Sequence, residues 1–256
     1  MSSASKRGIS IPWNFDPKDF SSYSAAIKSG KISWISNWEM WKPKGLPSDV
    51  TYIPQCRTAN EADQIISYFS GYRDDSQVQD FIGFNEPDID SQANMSVDHA
   101  VELWKKHVLP MKENCEGVKI GSPAVSNGPN GLPWLKEFLE KLGSVERSGV
   151  DHVVIHYYSP DVEHFKRHVQ EVYETFKIPV WVTEFACTTW DNAHPASEKE
   201  VLLFMEEAVR FLDEAPFVQR YAWFGAMEDV GEGVGRANGL QRDGDLSEAG
   251  NLYTTL

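Results

Sequence analysis

The sequence predicts a (β/α)8 barrel, and three observations carry that prediction. The 256 residues match the usual size of one such barrel, so residues 1–256 are read as one catalytic-sized domain. Eight short runs rich in β-branched and aromatic residues recur at intervals of roughly 20 to 40 residues, as a repeating strand-loop-helix unit requires. Most runs are apolar on successive positions, as in Val153-Val154-Ile155 and Tyr221-Ala222-Trp223-Phe224, which marks parallel strands covered on both faces. An open doubly wound sheet is the alternative fold, but no GxGxxG or phosphate-binding loop follows any run.

In chain order the strands are expected at Gly8 to Ile11, Lys31 to Ile35, Val50 to Ile53, Asp80 to Phe84, Val118 to Ser122, His152 to Tyr157, Val180 to Phe185 and Gln219 to Phe224. The helix after the third strand should begin near Thr58 or Asn60. Ser96 should cap a helix through Val101, Leu103 and Trp104 that ends near Pro110. Leu132 to Leu142 stops at Gly143, and Asp161 to Phe176 carries an apolar stripe through Phe165, Val169 and Val172. The clearest stripe runs from Ser197 to Leu212, where Ser197 and Glu200 are spaced as a capping box. Gly231 to Leu256, with Asp243-Gly244-Asp245, reads as a loop, a small turn and a short closing helix.

Composition narrows the partner. A net charge of −14 and a sequence pI near 4.9 argue against nucleic acid, whose binding needs a cationic surface that releases counterions. A neutral ligand fits better. No apolar run approaches the ~20 residues of a membrane span, and Met1-Ser2-Ser3-Ala4-Ser5-Lys6-Arg7 lacks the apolar stretch of a signal peptide. No membrane partner is expected, and a monomer is. Cys56, Cys115 and Cys187 are odd in number and lack CxxC spacing, so free buried thiols are favoured over a disulfide. Nine tryptophans are more than a core readily absorbs, since each buried indole N–H needs a partner; some should face a ligand.

The chemistry concentrates in two places: Phe84-Asn85-Glu86-Pro87-Asp88 at the end of the fourth strand and Val182-Thr183-Glu184-Phe185 at the end of the seventh. The C-terminal strand ends form the active face of such barrels, so Glu86 and Glu184 should share one mouth. Two carboxyls across a cleft suit glycosidic cleavage: one protonates the leaving oxygen, and the other attacks the anomeric carbon or activates water. Their spacing, which decides between retention and inversion, is not written in the sequence.

Trp34-Ile35-Ser36-Asn37-Trp38, the Gly83 to Asp88 stretch with Gln92-Ala93-Asn94-Met95-Ser96, and His156-Tyr157-Tyr158 before Trp181 to Phe185 together resemble glycoside hydrolase family 128. That family belongs to clan A and consists largely of β-1,3-glucanases. The resemblance runs from Gly8 to the region of Trp223. It implies retaining hydrolysis of a β-glucan without cofactor, Glu86 as acid/base, Glu184 as nucleophile and Asn85 as donor to a sugar hydroxyl. It also favours an extracellular or cell-wall setting. The chain departs from the pattern at Ser36, where the resemblance would place Tyr, at Tyr157, where it would place Trp, and at Cys56, near which it would place an aromatic residue.

Around this pair, Trp38, Trp41 and Trp223 are candidate sugar platforms, because pyranose C–H faces pack on indole. Trp34, Trp104 and Trp134 are assigned to the core. His156 and Tyr158 are expected to orient the nucleophile or touch substrate, and Asn37 to hydrogen-bond sugar. His164 and His168 share a helical face without a third ligand, so they read as a solvated face and no metal site is assigned there. The acidic residues Asp88, Asp90, Asp98, Asp191, Glu228, Asp229 and Glu232 read as a charged rim. Asn94-Met95-Ser96 is a glycosylation sequon, relevant only to a secreted chain.

Overall fold

The computed structural model describes residues 5–256. Eight parallel strands lie in it where the sequence places them: β1 (Arg7–Ser10), β2 (Trp34–Ser36), β3 (Thr51–Tyr52), β4 (Asp80–Ile82), β5 (Lys119–Val125), β6 (His152–Tyr158), β7 (Val180–Ala186) and β8 (Val218–Trp223). They pair in the order β3-β2-β1-β8-β7-β6-β5-β4. The seam between β3 and β4 is closed by short-range pairing just past β3. Ile82 N–H donates to Pro54 O at 2.9 Å, and Cys56 N–H to Ile82 O at 3.1 Å. The sheet is therefore a barrel, with no free edge at that seam.

Alternation along the strands divides the core in two. Trp34, Ile53, Ile82, Ala124, Val154, Trp181 and Ala222 fill the barrel interior. A larger apolar layer, including Phe81, Phe165, Phe185, Tyr221 and Trp223, packs between strands and helices. The two interior indoles lie 6.3 Å apart, and His152 stacks on Trp181 at 3.6 Å. Gly8 is needed at this floor, because a Cβ there would sit 2.2 Å from the Trp34 ring.

The helices follow their sequence signals. Ser197 accepts from Glu200 N–H and the Glu200 carboxylate accepts from Ser197 N–H, opening Glu198–Glu214. Thr58 and Glu61 make a similar box before the 3-10 turn Ala59–Gln64. Ser96 and Asp161 cap Val97–Leu103 and Val162–Phe176. Gly143 adopts a left-handed φ of +102° just beyond Gly131–Lys141. The tail forms a small hairpin, Gln241–Arg242 with Asp245–Leu246, and a closing helix, Glu248–Thr255.

Two expectations are corrected. The helix begun at Ser96 does not stop near Pro110: it widens into a π-turn at Trp104–Val108 and continues as Leu109–Asn114. The wide turn relieves the clash that a proline ring makes with the carbonyl one α-turn earlier. His168 is not on a solvated face. It is buried against Tyr157, whose hydroxyl also bonds His164 Nδ1 at 2.8 Å. Cys56, Cys115 and Cys187 are buried free thiols, and burial raises the pKa of each. Among the described residues, no helix is long and apolar enough to cross a membrane.

Candidate active site

A cleft of about 780 Å³ opens at the C-terminal ends of the strands, with Glu86 and Glu184 both in its lining. Glu184 reaches it through an irregularity in β7. Ile155 pairs with Val182 and the next residue, His156, pairs with Glu184, so Thr183 is an extra residue on β7. Strict alternation from the inward Trp181 would point Thr183 inward and Glu184 outward. The bulge aims Glu184 into the mouth as well, while Thr183 Oγ1 stays against His156 Nε2. Glu86 is placed by a different device: it turns out of β4 at a φ of +43°, with its N–H held by Ala124 O at 2.7 Å. Asp88 ties the same loop to β5 by accepting from Ser126 N–H and from Ser126 Oγ.

The carboxyls are close and well partnered. Glu184 Oε1 accepts from Trp38 Nε1 at 2.6 Å, and Oε2 accepts from the Tyr158 hydroxyl at 2.5 Å. Glu86 Oε1 lies 2.9 Å from His156 Nδ1; His156 Nε2 lies 3.1 Å from Thr183 Oγ1 and 3.4 Å from Glu184 Oε1. One atom from each of Glu86, His156 and Glu184 falls within 4.8 Å of the others. Such a trio could meet a cation, but here both imidazole nitrogens face hydrogen-bonding partners.

The electrostatics follow from burial. Loss of solvation lifts the Glu184 carboxyl above the ordinary range. The neighbouring His156 pulls it down, the Glu86 charge adds to the lift, and the Tyr158 and Trp38 donors oppose it; the net shift is upward. Burial also lifts the Tyr158 phenol, reinforced by the Glu184 charge, so that hydroxyl keeps its proton and donates. For His156, burial disfavours the imidazolium. The Glu184 charge and the hydrogen bond and charge of Glu86 outweigh it, and its pKa is raised.

The cleft has two unlike walls. One is aromatic: Trp13 after β1, Trp38 after β2, Trp190 after β7 and Phe224 after β8, with Tyr158 packed on Trp190 and Phe224 at 5.4 and 5.7 Å. The facing wall is polar, with Asn85, Ser91, Gln92, Ser126 and Asn127. Trp38, Glu86 and Trp190 all have left-handed φ, at 60°, 43° and 57°. Strain of this kind costs on the order of 1 to 3 kcal/mol per residue, and half of the six such non-glycine residues among those described border this cleft.

The model of the glycosyl hydrolase catalytic core matches residues 10–253, nearly the whole barrel. The chain belongs to the glycosyl hydrolase catalytic core family. It is 33% identical over 233 residues to Alkali-sensitive linkage protein 1 of Schizosaccharomyces pombe, covering 90% of this chain and 42% of that protein. The chain thus spans about two fifths of the length of that relative. Among solved structures it is similar to a curdlan-specific exo-β-1,3-glucanase of family 128, subgroup III, from Blastomyces gilchristii, in complex with glucose (29% identity, 98% of each chain, TM-score 0.79). It is also similar to a subgroup I endo-β-1,3-glucanase from Amycolatopsis mediterranei in complex with laminaritriose (25% identity, 98% of each chain, TM-score 0.78).

In this glycosyl hydrolase core, several sequence assignments need redistribution. Glu86, Glu184, Asn85, Asn37, Trp38 and Tyr158 all border the cleft. Asn37 has its Oδ1 taken by the Tyr52 hydroxyl and Glu39 N–H, while Nδ2 spends one of its two N–H groups on Trp41 O at 3.3 Å and keeps the other. It shapes the loop that carries Trp38. His156 is 1% exposed and does not line the cleft, so it sits behind the carboxylates and out of reach of substrate.

Trp223 is the plainest correction. It is fully buried, packs on Phe185 and Phe204, and donates from Nε1 to Asn238 O at 2.8 Å. Ala222 points into the barrel, so Trp223 must point outward, and Phe224 takes the cleft position instead. Trp41 does not line the cleft either, nor do Ser36, Tyr157 and Cys56, where the chain departs from the family pattern. Trp34, Trp104 and Trp134 are core, as expected. Missed altogether were Trp13 and Trp190, 66% and 58% exposed. The available signal was position, since each follows the end of a strand whose loop feeds the catalytic face.

Proposed function

We propose that this glycosyl hydrolase cleaves β-1,3-glucan by double displacement, with Glu184 as nucleophile and Glu86 as acid/base. The observation that carries the reading is the approach of the two carboxyls, an oxygen of each lying within 4.8 Å of the other. Retaining enzymes hold their carboxyls about 5 to 5.5 Å apart, whereas inverting enzymes need about 6.5 to 9.5 Å to admit a water. Glu184 attacks the anomeric carbon as Glu86 protonates the departing oxygen. Glu86 then takes a proton from water as the water's oxygen displaces Glu184.

The remaining side chains support these steps. Tyr158 and Trp38 hold the two oxygens of Glu184, fixing its aim and favouring its ionised form. Trp13, Trp38, Trp190 and Phe224 offer flat apolar surfaces to sugar rings, while Asn85 and Gln92 face the hydroxyl edges. Asn85 Nδ2 has only a long contact of 3.4 Å to Gln92, so it keeps a donor for a sugar hydroxyl. A neutral polymer suits a chain of charge −14. The solved neighbours that bind glucose and laminaritriose are β-1,3-glucanases, which supports this linkage for the present chain.

The test is reducing-end release from laminarin and curdlan beside β-1,4-glucan, β-1,6-glucan and β-1,4-mannan. Hydrolysis confined to the β-1,3 polymers, lost by several orders of magnitude in Glu184→Gln, is the expected result. Binding of laminarin without any turnover would replace the enzyme by a carbohydrate-binding barrel. Preference for another linkage would overturn the substrate assignment.

A further inference from the structure

We propose that His156 and Glu86 act as one proton-holding pair, so that the acid and base of the reaction are the pair rather than Glu86 alone. The proposal rests on the hydrolytic reading above and adds a positioning residue that never meets the substrate. Its basis is geometric. His156 Nδ1 is 2.9 Å from Glu86 Oε1, in a pocket where the ring is 1% exposed and Glu86 itself is buried. Among the described residues, Glu86 is the hydrogen-bond partner at Nδ1.

The other ring nitrogen makes the pairing reversible. Nε2 faces Thr183 Oγ1 at 3.1 Å, and a hydroxyl can donate or accept. When Glu86 carries the proton, Nδ1 accepts from it and Nε2–H donates to Thr183. When Glu86 has given up its proton, the ring keeps its own on Nε2 toward Thr183; the other neutral tautomer, with Nδ1–H donating to Glu86, has Nε2 accepting from the Thr183 hydroxyl. A third arrangement places the proton on the ring, giving imidazolium beside carboxylate, with Nε2–H also 3.4 Å from Glu184 Oε1. The groups that act on the ring are Glu86 at the end of β4, Asp88 in the same loop and Glu184 on β7, all negative when ionised. Tyr158, on the ring's own strand, keeps its proton and faces Glu184. Among the described residues, the charged groups that act on the ring are all carboxylates. Its raised pKa is the outcome, despite burial.

The steps balance with one proton on the pair. In the first, the pair passes its proton through Glu86 to the glycosidic oxygen, the C1–O bond breaks and a bond forms between C1 and Glu184. The pair is left as carboxylate and neutral imidazole, the ring's remaining proton on Nε2 toward Thr183 Oγ1. In the second, Glu86 takes a proton from water, the water oxygen bonds C1, and the C1–Glu184 bond breaks. The pair is then restored.

The closing experiment reads the proton directly and the chemistry separately. The ¹⁵N shifts of His156, assigned by comparison with His156→Asn, are followed from pH 4 to 9 in wild type and in Glu86→Gln. Wild type should retain ring protonation above the pH of an ordinary histidine, near 6.5, and Glu86→Gln should lose at least a pH unit of that range. Kinetically, His156→Asn keeps a donor but holds no charge. It should lower kcat/KM on laminarin by roughly 10²-fold, the lower end of what acid-base groups contribute, and move the basic limb of its pH profile. Aryl β-glucosides with good leaving groups should suffer far less. Thr183→Val, which removes the hydroxyl but not the ring, should move the same limb in a fold that is preserved.

Equal losses on both substrates with an unmoved pH profile would reduce His156 to scaffold. A His156 titration unaffected by Glu86→Gln would also overturn the pairing. The NMR arm does not depend on turnover: coupled titration in a chain that fails to cleave any glucan would overturn the hydrolytic reading alone.

Discussion

Tyr158→Phe isolates one hydrogen bond at the proposed nucleophile. The ring packs against Trp190 at 5.4 Å and Phe224 at 5.7 Å, and phenylalanine keeps both contacts. What disappears is the 2.5 Å bond from the hydroxyl to Glu184 Oε2. Hydrogen bonds to a charged group contribute about 1.5 to 3 kcal/mol, and a tenfold change corresponds to about 1.4 kcal/mol, so kcat/KM at neutral pH should fall about 10- to 150-fold. The pH profile should move with a defined sign. Glu184 works ionised, and its pKa is already raised, chiefly by burial, with Tyr158 among the groups that hold it down. Removing that donor raises it further, so the variant loses activity at a higher pH as acid is added. The assay is reducing-sugar release from laminarin across pH 4 to 8, with thermal melting to confirm the fold. A loss below about threefold with an unmoved acid limb would show that the bond does not support an ionised Glu184, and the argument from its geometry would fail.

The first product from laminarin should carry a β-anomeric reducing end by proton NMR, and Glu86→Ala supplied with azide should form a β-glucosyl azide; initial release of the α-anomer would contradict the retaining assignment. Trp190→Ala should weaken laminari-oligosaccharide binding by about 1 to 3 kcal/mol with little change in melting, by analogy with aromatic stacking on flat ligands. Trp223→Ala should do the reverse, destabilising the fold by about 3 to 5 kcal/mol through a core cavity; if Trp223→Ala melts like wild type, its placement in the helix-facing layer is wrong. His152 is buried and stacked on Trp181, and burial holds its pKa well below the ordinary value. The unfolded chain therefore binds a proton that the folded one refuses, and this contribution to stability is lost as pH falls below about 6.5, at up to about 1.4 kcal/mol per unit. Denaturation of wild type and His152→Phe should diverge between pH 6.5 and 5, and parallel curves would refute the linkage.

Local physics made much of this protein legible in advance. A strand covered on both faces must be apolar throughout, which exposed β6, β7 and β8, and a helix start must satisfy its free N–H groups, which exposed Ser96 and Ser197. The Asn85-Glu86 pair and Glu184 were readable because a strand end in a barrel has a known face. Tertiary structure decided what depends on phase and closure. One inserted residue, Thr183, lets its neighbour Glu184 enter the mouth as well, and no local signal announces a bulge. The same two-residue alternation buries Trp223 and hands the cleft to Phe224. Trp13 and Trp190 lie in loops without periodicity, so their exposure on the cleft follows only from how those loops fold over the barrel. His156 lies 70 residues from one carboxylate and 28 from the other. That it stands between them is a consequence of strands β4, β6 and β7 converging on one opening, a fact of the closed sheet and not of any segment within it.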